Sequence, residues 1–209
     1  MPIITSIKPQ RNGRRVNIYL DGKFGFGIDL ENFVKLGLKV EQELSDRKIE
    51  EIVKRAEFQK TLDKLLRFAT LRPRSEKEIK DWLKRKKVHE SLNKDLFIRL
   101  KRLDLTDDEK FARWWVEQRR LFKPRGKRAL EMELRVKGIK KEKISQVLSD
   151  SKVDEEKVAR ELLDKKAYKW KNLPGREAQQ KMGQFLARKG FDWEIIRKVL
   201  GGQTIDPEG

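Results

Sequence analysis

Asp107-Asp108-Glu109-Lys110-Phe111-Ala112-Arg113 returns 47 residues downstream as Asp154-Glu155-Glu156-Lys157-Val158-Ala159-Arg160. Arg135-Val136-Lys137-Gly138-Ile139 returns as Ala187-Arg188-Lys189-Gly190-Phe191 at an offset of 52, and Ile144 to Leu148 returns as Ile196 to Leu200 at the same offset. The change of offset implies about five extra residues near Trp170 to Arg176. A fainter copy precedes these, because Ser75 to Val88 aligns with Gly126 to Ile139 at an offset of 51. Tandem units of this length bury their apolar sides on their neighbours. The expected fold is therefore mainly α, a tandem array of three three-helix repeat units.

The helical spacing agrees. Val53, Ala56, Leu62, Leu65, Leu66 and Ala69 can share one helix face, as can Ile79, Trp82 and Leu83. Leu92, Leu96, Leu100 and Leu103 form another stripe, and Phe111, Ala112, Trp115 and Val116 a fourth. Ser75-Glu76-Lys77-Glu78 and Thr106-Asp107-Asp108-Glu109 read as capping boxes, and Gly138 and Gly190 as helix ends. The first 45 residues differ. Val16, Ile18 and Leu20 alternate with polar positions, Asp21-Gly22 is a hairpin turn signal, and residues 23–28 read as the returning strand. Residues 37–40 are a candidate third strand. The predicted divisions are a small β-hairpin unit with a short helix at 1–45, three-helix units at 46–105, 106–152 and 153–200, and a flexible tail at 201–209.

Charge points to the partner. Of the 209 residues 52 are Lys or Arg against 34 Asp or Glu, a formal net charge of +18. Residues 61–150 hold two thirds of that excess, so a polyanion should be drawn there. The absence of cysteine excludes a disulfide framework and a thiolate metal site, and one histidine, His89, argues against a triad or a multi-histidine site. No apolar run approaches a bilayer span. Residues 1–5 lack the regions of a secretory leader. A cytoplasmic protein is expected.

Asp107, Asp108 and Glu109 could serve a divalent metal in a nuclease. Their recurrence at 154–156 favours helix capping instead. His89 reads as a loop residue, Trp170, Phe185 and Trp193 as core. Trp114, adjacent to inward Trp115, is left to inter-repeat packing or to stacking on a base. The basic runs are more telling. Arg72, Arg74, Lys84 and Arg85 (with Lys86 and Lys87) flank the capped helix of the first unit, and Arg119, Arg120, Lys123, Arg125 and Arg128 (with Lys127) occupy the corresponding junction of the second. Repetition at equivalent positions suggests a binding track, for phosphate or for an acidic protein groove.

Leu71-Arg72-Pro73-Arg74-Ser75 with Glu78, Ile79 and Leu83 resembles the first-unit signature of the bacterial RecX regulatory proteins. Asp107 to Ala112, followed by Arg119, Gly126, Glu133-Leu134 and Gly138-Ile139, resembles their central signature. Lys87 departs from the pattern, standing where the later units carry Gly138 and Gly190. The resemblance implies a non-enzymatic modulator without cofactor or metal, a monomer that lies along the RecA–single-stranded DNA filament. It further implies that the protein inhibits ATP hydrolysis and strand exchange in recombination, DNA repair and the SOS response. Binding to double-stranded DNA stays open. The nine basic residues named above, from Arg72 to Arg128, are the contact candidates. A stand-alone helix-turn-helix DNA-binding protein is the alternative.

Overall fold

The computed structural model describes residues 1–11, 13–151 and 153–201. The tail expected over 201–209 lies outside the described residues from position 202 on. The chain forms two compact units: Met1–Arg72 with Arg85–Leu103, and Pro73–Lys84 with the residues from Asp104 onward.

The first unit opens with an antiparallel sheet of β1 (Ile4–Pro9), β2 (Arg15–Leu20) and β3 (Lys23–Asp29), in the order β1-β2-β3. Asp21 and Gly22 both take positive φ, 49° and 81°, the conformation that an Asp-Gly turn supplies. The third strand is not at 37–40, as the sequence suggested, but at Ile4–Pro9. Ile4 and Ile7 are out of phase for an ideal strand, and a register shift between Ile4 and Ser6 reconciles them. Gly37 instead ends the helix α1 (Leu30–Leu36) with φ 57°. The inner sheet face (Val16, Ile18, Phe26, Ile28) packs with Ile52 and Ala56 of α2 (Asp46–Thr70), which supplies the partner so small a sheet needs. Val53 is a correction: it is 38% exposed and Ile52 is buried in its place, while Ala56, Leu62, Leu65 and Ala69 of the predicted stripe are buried. α4 (Asn93–Arg102) buries Leu96 and Leu100 with Leu92 just before it, but Leu103, past the helix end, is largely exposed.

The second unit holds α3 (Glu76–Arg85, apart from its last residue), α5 (Asp108–Phe122), α6 (Lys127–Val136), α7 (Lys141–Asp150), α8 (Glu155–Asp164), α9 (Gly175–Arg188) and α10 (Trp193–Leu200). The two downstream repeats place equivalent residues in equivalent core positions. Ala112, Leu134, Ile139 and Ile144 are buried in one, and Ala159, Leu186, Phe191 and Ile196 in the other. The extra residues lie between α8 and α9, where a 3-10 turn (Ala167–Lys169) leads into buried Trp170. Phe185 packs against Trp170 at a centroid distance of 5.6 Å, but Trp193, expected in the core, is 37% exposed.

The capping of α5 also differs from expectation. Asp107, not Thr106, is the cap residue, and its carboxylate accepts the Glu109 and Lys110 amides at 2.8 and 3.2 Å. Thr106 is buried one position earlier, its hydroxyl without a partner. His89 caps a 3-10 turn through its ring Nδ1, which accepts the Ser91 amide. No helix among the described residues is long and apolar enough to cross a membrane.

Candidate nucleic-acid interface

The second unit contains one junction built twice. The N-terminus of each middle helix meets the C-terminal turn of the next repeat's middle helix. Before α3, the Ser75 hydroxyl donates to the Lys137 carbonyl at 2.8 Å, and the Lys77 ammonium donates to the Val136 carbonyl at 3.0 Å. At α6, the Gly126 amide donates to the Lys189 carbonyl at 3.0 Å and the Arg128 amide to the Gly190 carbonyl at 3.2 Å. Opposite ends of helix dipoles thus face each other. The first helix of the following repeat adds a carboxylate to each. Asp108 accepts the Glu76 amide at 2.8 Å, and its repeat-mate Glu155 accepts the Lys127 amide at 2.7 Å. The acidic pairs are therefore caps twice over, since Asp107 and Asp154 cap their own helices while Asp108 and Glu155 cap a neighbour. Among the described residues no group of three or more His, Cys, Asp or Glu is placed to hold a metal.

At the first of these junctions charge is balanced locally. The Glu78 carboxylate takes Lys137 at 2.7 Å and Arg74 at 4.0 Å. Glu133 takes Arg119 at 2.6 Å and the Trp115 indole N–H at 2.8 Å. The Arg119 guanidinium and the Lys137 ammonium both lie over the Trp115 ring, at 4.5 and 4.9 Å from its centroid. Trp114 is half-buried, with Phe111 of the same helix at a centroid distance of 5.9 Å.

The second junction keeps the cations but replaces the two acids at the equivalent repeat positions. By the repeat offsets Arg74 becomes Arg125, Arg119 becomes Lys166 and Lys137 becomes Lys189. Glu78 becomes Ala129 and Glu133 becomes Phe185. Lys189 now sits over the Phe185 ring at 5.6 Å. Burial, then Arg125, Lys166 and Lys123, hold its ammonium below the ordinary lysine value. The Arg125 Nε is buried without a hydrogen bond, and Glu133 Oε1 is 3.8 Å away. Such a concentration of positive charge favours an incoming anion.

The sequence candidates divide accordingly. Arg74, Arg119 and Arg125 are partly withdrawn, with carboxylates close by, and they hold the junction together. Lys84, Arg85 and Lys123 are exposed, as is Arg120, which pairs with Glu117 at 2.6 Å. Arg128 is exposed 3.6 Å from Asp192, and Arg72 is half-buried. Arg72 and Arg85 belong to the first compact unit, the other seven to the second. Lys166 and Lys189 were not singled out from the sequence, although their repeat positions relative to Arg119 and Lys137 were the available signal.

Comparisons with known proteins place this architecture. Residues 154–200 match the RecX third three-helix domain, residues 107–148 the RecX second three-helix domain, and residues 2–45 the regulatory protein RecX N-terminal domain. Regulatory protein RecX of Bacillus licheniformis is 37% identical over 202 residues, covering 96% of this chain and 77% of that protein. The chain belongs to the RecX family. Regulatory protein RecX of Bacillus subtilis is 35% identical over 96% of the chain and 76% of its own length. A crystal structure of regulatory protein RecX superposes with a TM-score of 0.71 at 26% identity, over 95% of this chain and 98% of that one. The repeated junction described above thus joins the second three-helix RecX domain to the third, and also ties α3 to the second.

Proposed function

We propose that this RecX-family protein is a non-enzymatic regulator of RecA that binds the RecA–single-stranded DNA filament and inhibits its ATP hydrolysis and strand exchange. One observation carries the DNA contact: Lys166 and Lys189 keep the positive charge of an internally balanced junction whose two carboxylate positions are taken by Ala129 and Phe185. Strand phosphates are the anions such a filament presents at regular intervals, and Lys123 and Arg128 extend the cationic surface beside them. Regulation then needs no bond to be made or broken. Preferential affinity for one filament state shifts its population by the difference in binding free energy. On this reading the protein acts in the cytoplasm, as a monomer placed along the filament, in recombination and DNA repair.

The test is steady-state ATP hydrolysis by RecA on single-stranded DNA, titrated with the full chain. The expected result is a saturable fall in rate that weakens steeply with salt, with a log–log slope of about −0.7 for each phosphate neutralised. The triple substitution Lys123→Gln, Lys166→Gln, Lys189→Gln should raise the half-effective concentration about tenfold while leaving the helical spectrum intact. No change in rate at saturating wild-type protein overturns the proposal. Arg119 is a poor choice for such a variant, because its loss would strand Glu133 inside the junction.

A further inference from the structure

A second basic site lies in the first compact unit, which holds none of the cations assigned above to the DNA contact. Where the edge strand β3 approaches the second half of α2, a cleft of about 430 Å³ opens. Its walls carry Arg14 and Arg15 from the start of β2, Lys60, Lys64 and Arg67 from α2, and the ring of Phe24 from β3. Lys60, Lys64 and Arg67 follow one another at helical spacing, so a single face of α2 presents all three. They are exposed, and they make no ion pair among the described residues.

Two acids share the cleft, and each is already engaged by a residue close to it in the chain. Asp29 accepts from the amide and side chain of Asn32, at 2.9 Å each, to cap α1. Asp63 accepts from Gln59 at 2.9 Å. Lys60, Lys64 and Arg67 therefore face carboxylates that already serve local structure, while Arg15 is held by the Gly27 carbonyl at 2.6 Å. Phe24 is 61% exposed, an unusual placement for a phenyl ring. Tyr19 packs against it at near right angles, at a centroid distance of 6.1 Å.

We infer that this cleft is a binding site for a single nucleic-acid strand, with phosphates on Lys60, Lys64 and Arg67 and an unpaired base stacked on Phe24. Cations alone would accept any polyanion. The exposed ring beside them selects a strand whose bases are free, since a paired base has no face to offer it. The site does not depend on the RecA reading, because it requires no filament.

The probe is a fluorescein-labelled (dT)20 oligonucleotide, followed by fluorescence anisotropy with the full chain and no RecA present. Lys60→Glu, Lys64→Glu, Arg67→Glu together should weaken binding at least about tenfold and flatten the log–log salt slope by about 2, at about 0.7 per lost contact. Phe24→Ala should weaken it about fivefold or more with the slope unchanged, since stacking carries no charge. All four positions are exposed, so circular-dichroism melting of both variants should follow the wild type. Binding of the triple variant within twofold of wild type overturns the inference. Equal loss of (dT)20 and poly-glutamate binding in the triple variant, with Phe24→Ala silent, also overturns it and leaves an unselective anion patch. A charge-reversed variant that binds (dT)20 normally but no longer slows the RecA filament assigns the face to a protein surface instead.

Discussion

At the scale of single residues, Lys189 shows how a repeat is turned to use. Its repeat-mate Lys137 has Glu78 at 2.7 Å, whereas Lys189 has Ala129 at the equivalent position and three cations around it. Its ammonium therefore titrates below the usual 10.5. A lysine whose pKa is lower in the folded than in the unfolded chain costs stability while both forms are charged, and that cost disappears as pH rises through the interval between the two values. Lys189→Gln should thus melt slightly above wild type at neutral pH, with the gap closing as pH rises to the ordinary lysine value, while its affinity for the filament falls. Melting the two proteins in parallel across that range checks the sign. Asp108 makes the complementary point, because it caps a helix to which it does not belong. Asp107→Asn with Asp108→Asn should be almost silent in melting and in the ATPase assay, since the amide oxygen still accepts. Asp108→Ala should cost about 1 kcal/mol in denaturant unfolding. Abolished regulation in a fully folded Asn pair would point to carboxylate chemistry.

Among the elements, the helix ends carry the arrangement. Gly190 sits at φ 84° with its carbonyl against the N-terminus of α6, and a Cβ at Gly126 would overlap that carbonyl. Neither atom is at the end of a flexible side chain, so backbone must move. Gly126→Ala is expected to destabilise the chain by about 1–3 kcal/mol and to shift the equilibrium unfolding midpoint accordingly. Lys87 is the opposite case. It takes the left-handed turn at φ 52° where the later repeats have glycine, a conformation that costs a side chain about 1–2 kcal/mol. Lys87→Gly should recover part of that, a rise of about 0.5–1 kcal/mol by the same measurement. The departure noted in the sequence therefore leaves the backbone path intact. The side chain bears the strain.

Across the whole molecule, the order of repeats was open to reading because periodicity and glycine position are local. Gly138 and Gly190 mark helix ends, and Asp21-Gly22 marks the hairpin, through dihedral preferences that need no tertiary partner. The β1 strand was not legible, because its two isoleucines fall in phase only across a bulge that pairing with β2 creates. The cap at Asp107 was misread by one residue, since Thr106 and Asp107 are both good caps and burial of Thr106 decided between them. The same limit applies to the candidate site. A count of Lys and Arg located the excess charge but not its balance, because ion pairs such as Arg119 with Glu133 join residues 14 apart in sequence and on different helices. Composition and spacing alone determined a basic array of three-helix units behind a small sheet. Only the tertiary structure decided which cations sit against carboxylates and which do not, because electrostatic balance depends on distances of a few ångströms that helix packing sets.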